Sequence, residues 1–277
     1  MKKTTARLTL LWMFLLLAAG CANTNANAAP IKEIGSKSDP IELTVFAAAS
    51  MTETLSEIQA IYKAVAPEVT LTFNFDSSGT LKTQIEEGAD CDLFISAAQK
   101  QMNALDISHE KNTNKLDFIL PESRVDLLEN KVVLVVPEGN PAGIQSFEDV
   151  NTDAVSMIAL GNADVPVGQY SEEIFTKMGI WDEIHGKITF GSNVKEVTTQ
   201  VSEGAVDCGV VYATDAFSAG LTPVAEAPAD MLATPVVYPA AVLKSSKHPE
   251  AAQAFLDYLR TDACTTVFEK VGFTINQ

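Results

Sequence analysis

The stretch IELTVFAAASMTETLSEIQAIYKAV, residues 41–65, indicates the fold class of this chain. Its first part, residues 41–47, is a short apolar run typical of a strand, and residues 52–65 carry apolar side chains at helical spacing. Further strands are predicted at residues 69–75, 93–96, 131–137, 156–160, 187–190, 208–212 and 236–243, and further helices at 80–87, 170–178, 194–203 and 249–260. This alternation predicts an α/β protein in which helices flank mainly parallel sheets.

The first forty residues do not follow this pattern. Lys2, Lys3 and Arg7 precede an apolar run at residues 8–19, which is typical of a secretory signal and too short to span a membrane comfortably. The following LAAGC, ending at Cys21, resembles the lipobox of bacterial lipoproteins. We therefore expect residues 1–20 to be a cleaved signal peptide, Cys21 to be lipidated, and residues 21–40 to form a flexible tether.

Composition and charge narrow the class of function. With 47% hydrophobic residues the chain can bury a substantial core. The formal charge is −17, and loss of the three cations of the signal segment makes it −20, which argues against a nucleic-acid partner. An anionic ligand would therefore have to be held by local dipoles and donors and not by the overall field.

The sequence offers little support for catalysis. It contains no P-loop, no GxSxG, no HExxH and no GxGxxG after a strand. Its three histidines lie far apart in polar surroundings, and the cysteines after Cys21 have no CxxC spacing, so we expect surface histidines and buried free thiols. The histidines are His109, His185 and His248, and the three cysteines are Cys91, Cys208 and Cys264. We predict a protein that is not an enzyme and needs no cofactor.

Small and hydroxyl residues gather at four predicted strand-to-helix turns. The turns are AAAS at residues 47–50, DSSGT at 76–80, VPVGQY at 165–170 and GSNV at 191–194. A serine before a helix usually serves only as an N-cap. These turns, however, lie at the carboxyl ends of strands, where open α/β sheets bind ligands and where free N–H groups face an anion. The pattern predicts that they converge on one small anion.

Six segments resemble, in order, the signature segments of periplasmic molybdate-binding proteins. They are AAASMT (47–52), SSGTL (77–81), DLFISA (92–97), GVVYATDA (209–216), YPAAV (238–242) and VGFT (271–274). The resemblance implies a two-lobed periplasmic-binding-protein fold of type II, with the ligand in the cleft between lobes. It places lobe 1 at residues 41–130 plus 237–277 and lobe 2 at 131–236, with hinges near 129–133 and 235–238.

The same resemblance assigns the binding groups. The oxyanion would be held by the hydroxyls of Ser50, Ser78 and Tyr212 and by the main-chain N–H groups of Val167 and Val194, with no direct bond from protein to metal. Two positions depart from the family pattern: Asp76 stands beside the serines, and Gly79 replaces a third serine. Because a carboxylate would repel a dianion, we expect Asp76 to point outward.

Molybdate is fully deprotonated at neutral pH, so it suits a site made only of donors, whereas hydrogen phosphate also needs an acceptor. We therefore expect a monomeric, exported protein, anchored on the outer face of the membrane or periplasmic, that carries molybdate or tungstate to an ABC permease with its cytoplasmic ATPase. The alternatives are a binder of sulfate, phosphate or ferric ion, an extracellular enzyme on the same fold, and a sensory or adhesive surface lipoprotein that works without a transporter.

Overall fold

The computed structural model describes residues 40–276, so the predicted signal peptide, Cys21 and most of the tether lie outside the described residues. The strands are β1 (Ile41–Ala48), β2 (Val69–Asp76), β3 (Leu93–Ile95), β4 (Val125–Asn130), β5 (Val132–Val135), β6 (Ile158–Gly161), β7 (Ile188–Gly191), β8 (Cys208–Tyr212), β9 (Pro223–Glu226), β10 (Val236–Val242) and β11 (Thr274–Ile275). The helices are α1 (Thr52–Val65), α2 (Ser78–Glu86), α3 (Gln99–Leu105), α4 (Pro166–Lys177), α5 (Trp181–Ile184), α6 (Val194–Ser202), α7 (Ala213–Ala219), α8 (Pro249–Tyr258) and α9 (Asp262–Val271).

The strands form two sheets. One has the order β11-β4-β10-β3-β1-β2 and the other the order β7-β6-β8-β5-β9. Each contains three neighbouring parallel strands, continued by a strand of opposite direction, β10 in the first sheet and β5 in the second. The predicted α/β fold with helix-flanked sheets is confirmed. We call the six-stranded sheet with its helices lobe 1 and the five-stranded sheet with its helices lobe 2.

The chain passes between the lobes twice. β4 of lobe 1 ends at Asn130, and β5 of lobe 2 begins at Val132, so a single residue, Lys131, separates them. The return runs from the end of β9 at Glu226 to the start of β10 at Val236. Buried apolar residues of both sheets nevertheless belong to one continuous core cluster. The two lobes are therefore packed against each other in this arrangement.

Helix amphipathicity explains how the helices pack on the sheets. In α1 the buried side chains are Thr54, Leu55, Ile58 and Tyr62, which recur at helical spacing and form one face. Tyr62 packs on Phe255 of α8 with ring centroids 4.9 Å apart. The pattern read from residues 52–65 therefore specified both the helix and its buried face.

Several elements were not predicted from the sequence. The strand expected at residues 131–137 is the shorter β5, and β4 directly before it contains the acidic residues Asp126 and Glu129, which masked its strand character. The unpredicted α9 ends at Val271 and is followed by Gly272, whose φ of +103° forms a left-handed cap. No helix within residues 40–276 has the length and apolar character needed to cross a membrane.

Candidate functional site

A small cavity lies where the two lobes meet at the carboxyl ends of their strands. Its volume is about 10 Å³, far below the roughly 300 Å³ of pockets that take drug-sized organic ligands. It is lined by Ala48, Ala49, Ser50, Asp76, Ser77, Ser78, Ala97, Val165, Pro166, Val194 and Tyr212. The lining contains no cationic side chain, three serine or tyrosine hydroxyl residues besides Ser77, and one acidic residue, Asp76.

Four of the five predicted site residues line this cavity. Ser50 and Ser78 come from lobe 1, and Val194 and Tyr212 come from lobe 2. The fifth, Val167, is fully buried one residue after Pro166, which does line the cavity. The structure therefore brings together residues that are up to 162 positions apart in the sequence.

The two serines at the start of α2, Ser77 and Ser78, make different hydrogen bonds. Ser77 is the N-cap, and its Oγ accepts the Thr80 N–H at 3.1 Å. Ser78 Oγ instead accepts the Ala97 N–H at 2.9 Å, and the side chain is fully buried. Because an amide already occupies one acceptor site of Ser78, its own proton is available for a ligand. The sequence pattern alone did not show which serine caps the helix.

Ser50 lies in the short turn between β1 and α1, with its Oγ 2.9 Å from the hydroxyl of Tyr238 on β10. Asn130, the last residue of β4, reaches the same tyrosine hydroxyl through Nδ2 at 3.2 Å. Burial raises the pKa of Tyr238 well above its usual value, so this hydroxyl keeps its proton. Neither Asn130 nor Tyr238 was predicted as a site residue, although Tyr238 begins one of the segments that carried the family resemblance.

Lobe 2 contributes main-chain groups at two helix starts. Val194 is the first residue of α6, and its N-cap Asn193 accepts the N–H groups of Lys195 and Glu196. Val167 is the second residue of α4, after Pro166. Within residues 40–276, the N–H groups of Val167 and Val194 donate to no protein acceptor. Such amides point out of the helix start and are available to an anion.

Tyr212 ends β8 and is buried to 1% exposure. Its hydroxyl donates to the Ala97 carbonyl of lobe 1 at 3.2 Å. Burial raises the pKa of Tyr212 well above its usual value, which keeps the hydroxyl protonated. A ligand that used this proton would have to draw it away from a rather long hydrogen bond between lobes.

The two departures from the family pattern have different outcomes. Asp76 is among the residues that line the cavity, and its Oδ1 accepts the Ser77 N–H at 2.7 Å; the outward direction expected for its carboxylate stays a prediction. Gly79 donates its N–H to Asp164 of lobe 2 at 3.0 Å, and a Cβ at position 79 would lie 2.3 Å from that carbonyl oxygen. A serine therefore cannot replace Gly79 without moving the lobes apart.

An ion pair also joins the lobes beside the cavity. Lys195 Nζ of α6 lies 2.8 Å from Glu53 Oε2 of α1 and 3.1 Å from Asp215 Oδ1 of α7. Asp215 is completely buried, and burial raises its pKa to about 6 against the opposing effect of Lys195. Burial disfavours the charge on Lys195, but Asp215 and Glu53 outweigh it and raise the Lys195 pKa. This cation was not singled out from the sequence.

The three cysteines of the described residues do not line the cavity. Cys91, Cys208 and Cys264 are buried free thiols, as predicted, and burial raises the pKa of Cys208 to about 12. Within the described residues, no group of three His, Cys, Asp or Glu side chains could hold a metal ion. A larger surface groove of about 550 Å³ in lobe 1, lined in part by Pro121 and Arg124, lies away from the convergent helix starts.

The model of the bacterial extracellular solute-binding protein family matches residues 43–274. This chain belongs to that family. A Bacillus subtilis relative named as an ABC transporter substrate-binding lipoprotein, YvgL, is 38% identical over 265 residues, covering 94% of each chain. The molybdate-binding protein ModA of Haemophilus influenzae is 36% identical over 238 residues, covering 84% of this chain and 90% of that one.

A solved structure supports the fold of this solute-binding protein. The periplasmic molybdate-binding protein of Azotobacter vinelandii superposes with a TM-score of 0.73, covering 85% of this chain and all of the other, at 23% identity. The predicted periplasmic-binding-protein fold and the predicted family are both confirmed.

Proposed function

We propose that this solute-binding protein captures molybdate in the cavity between its lobes. One observation carries the proposal: Ser50, Ser78 and Val194, with its free helix-start amide, line one cavity that has no cationic side chain, and the free amide of Val167 follows directly on the lining residue Pro166. Such groups suit an anion that only accepts hydrogen bonds, and charge-assisted bonds of this kind are roughly twice as strong as neutral ones. The named function of the Haemophilus influenzae relative supports the same ligand.

The proposed binding groups are the hydroxyls of Ser50, Ser78 and Tyr212 and the amides of Val167 and Val194. Tungstate has the same charge and nearly the same size as molybdate, so these groups bind it too. Closure over the anion is a hinge motion at the two passages between the lobes, near residues 129–133 and 235–238. The predicted lobe bounds, 41–130 with 237–277 and 131–236, belong to the same proposal.

In the cell, the loaded protein delivers the anion to an ABC permease with its cytoplasmic ATPase, acting as a monomer and without catalysis. Lipidation of Cys21 holds it on the outer face of the membrane, which the name of the Bacillus subtilis relative supports. Labelling with radioactive palmitate tests the anchor: the natural chain takes up label, and uptake by a Cys21→Ala variant would show that the lipid is attached elsewhere.

The binding proposal is tested by isothermal titration of the purified protein with molybdate, tungstate, sulfate and phosphate in buffer free of other oxyanions. We expect tight one-to-one binding of molybdate and tungstate and weak or undetectable binding of sulfate and phosphate. If none of the four anions bound detectably, the assignment of the cavity as the binding site would be refuted. Tight binding of sulfate with weak molybdate would replace the ligand while leaving the cavity in place.

One observation favours a second candidate, a partly protonated oxyanion such as hydrogen phosphate. Asp76 lines the cavity, and a carboxylate can accept the proton that such an anion still carries. The carboxylate is, however, already engaged by the Ser77 N–H through Oδ1. The phosphate arm of the titration distinguishes the two candidates directly.

A further inference from the structure

A chain of hydrogen bonds behind Ser50 has a defined direction. It begins at the end of β4, where the Lys131 N–H donates to Asn130 Oδ1 at 2.8 Å. This contact fixes which end of the Asn130 amide is oxygen, because the opposite orientation would set an NH₂ group against an N–H. Asn130 Nδ2 then faces two hydroxyls, those of Thr214 at 2.9 Å and Tyr238 at 3.2 Å.

The direction continues through Tyr238. An NH₂ group has two protons and no acceptor capacity, so Asn130 donates to both hydroxyls. The Tyr238 oxygen accepts from Asn130 and has one proton of its own, which goes to Ser50 Oγ at 2.9 Å. The Tyr238 side chain is fully buried and Ser50 is 4% exposed, so water does not compete readily for these contacts. Ser50 is therefore an acceptor towards Tyr238.

We propose that Asn130 and Tyr238 are positioning residues that fix Ser50 as a hydrogen-bond donor to the cavity and so set its preference for fully deprotonated oxyanions. This inference rests on the proposed function. A serine hydroxyl can normally donate or accept, but here its acceptor role is taken by Tyr238, so its proton is directed to the ligand. Ser78 is oriented in the same sense by the Ala97 N–H. The O–H group of a partly protonated oxyanion would then face two serine donors and no serine acceptor.

The test compares two tyrosine hydroxyls in the purified protein, with molybdate and hydrogen phosphate as probes. Tyr238→Phe leaves Ser50 free to accept as well as donate. We expect molybdate to bind several-fold more weakly and the ratio of molybdate to phosphate affinity to fall about tenfold. The matched control is Tyr62→Phe. Tyr62 is also a buried tyrosine of lobe 1, but it lies near the end of α1 and packs on Phe255 and Tyr258, away from the cavity lining, so this variant should change neither affinity by more than about twofold.

Asn130→Asp should reverse the direction of the hydrogen bonds from residue 130 through Tyr238 to Ser50. The new carboxylate accepts from Tyr238, so Tyr238 must accept from Ser50, and Ser50 turns a lone pair towards the ligand. Molybdate affinity should fall by more than tenfold. The double variant Asn130→Asp/Tyr238→Phe separates this effect from the added charge. Loss of the Tyr238 hydroxyl weakens molybdate binding in the natural chain but should strengthen it in the Asn130→Asp background, whereas a pure charge effect would show no such change of sign.

Neutron diffraction of the natural protein crystallised in D₂O tests the proton positions without any ligand. The Tyr238 deuteron should lie on the line to Ser50 Oγ; a deuteron directed at Asn130 overturns the proposal, as would equal behaviour of Tyr238→Phe and Tyr62→Phe. If the natural protein binds no oxyanion at all, the proposed function fails, and the neutron map still decides the direction of the chain. Thermal melts of the variants show whether each is folded.

Discussion

In the proposed site, the two lobes differ in the kind of donor that they mainly contribute to the cavity. Lobe 1 supplies side-chain hydroxyls, Ser50 and Ser78, and each is oriented by a second group, the Tyr238 hydroxyl or the Ala97 N–H. Besides the Tyr212 hydroxyl, lobe 2 contributes the main-chain amides at the starts of helices α4 and α6, whose direction is fixed by the helix itself. The comparison teaches that a hydroxyl site needs supporting contacts to become a fixed donor, whereas a helix start does not.

The comparison predicts how each lobe responds to removal of one donor. Ser78→Ala removes a hydroxyl, and Val194→Pro removes an amide while keeping the helix, because proline is well tolerated at the first helical position. Asn193 has φ −153° and ψ 173°, a conformation compatible with a following proline. A hydrogen bond to a charged group contributes about 1.5–3 kcal/mol, so each change should weaken molybdate binding roughly 10- to 100-fold in titration calorimetry.

Val194→Ala is the control for the lobe 2 variant. It removes two methyl groups and keeps the N–H, so molybdate affinity should stay within about threefold of the natural value. If Val194→Ala weakened binding as much as Val194→Pro, the side chain and not the amide would be the contributing group. The distinction between hydroxyl donors and amide donors would then be wrong for lobe 2.

Much of this arrangement follows from the sequence. The convergence of the turns that contain Ser50, Ser78 and Val194 was predicted because strand-to-helix turns at carboxyl strand ends share one location in an α/β fold. The choice of binding groups, Tyr212 included, came from the resemblance to molybdate-binding proteins. Asn130 and Tyr238 were missed because their contact joins β4 to β10 across 108 residues and depends on the return of the chain to lobe 1. Local pattern contains no information on such pairings.

The placement of Asp76 was also beyond the sequence. Its spacing before Ser77 and Ser78 suited both an outward carboxylate and one held against the helix start. The structure shows the Ser77 N–H bonded to the carboxylate, an interaction that favours a negative charge near the positive end of α2.

Asp76→Asn tests whether a negative charge of lobe 1 weakens anion binding in the cavity. The amide oxygen can still accept the Ser77 N–H, but the negative charge at the cavity is gone. We expect molybdate to bind roughly 3- to 10-fold more tightly in titration calorimetry, since one unit charge at a partly solvated site contributes on the order of 1 kcal/mol. Unchanged or weaker binding would show that this carboxylate does not face the anion.

The smallest expected effect tests the contact between the lobes themselves. Glu53→Gln removes the negative charge that meets Lys195 across the cleft. Both side chains are partly exposed, and such pairs contribute about 0.2–1 kcal/mol, so molybdate binding should weaken by roughly 1.5- to 5-fold. Electrostatics alone predicts the opposite sign, because loss of a carboxylate near a dianion should tighten binding, as expected for Asp76→Asn. Weaker binding would therefore indicate that the ion pair stabilises the joined lobes.

Glu57→Gln provides the matched control for that effect. Glu57 lies one turn further along α1 and pairs at 3.1 Å with Lys270 of α9, which belongs to the same lobe. The two variants make the same change of charge on the same helix, but only Glu53→Gln breaks a contact between lobes. The difference between them should disappear in 1 M salt, where the Debye length is about 3 Å. If both variants bind molybdate equally at low salt, the Lys195–Glu53 pair adds nothing to closure, and the lobes are held by the Gly79 amide and the Tyr212 hydroxyl instead.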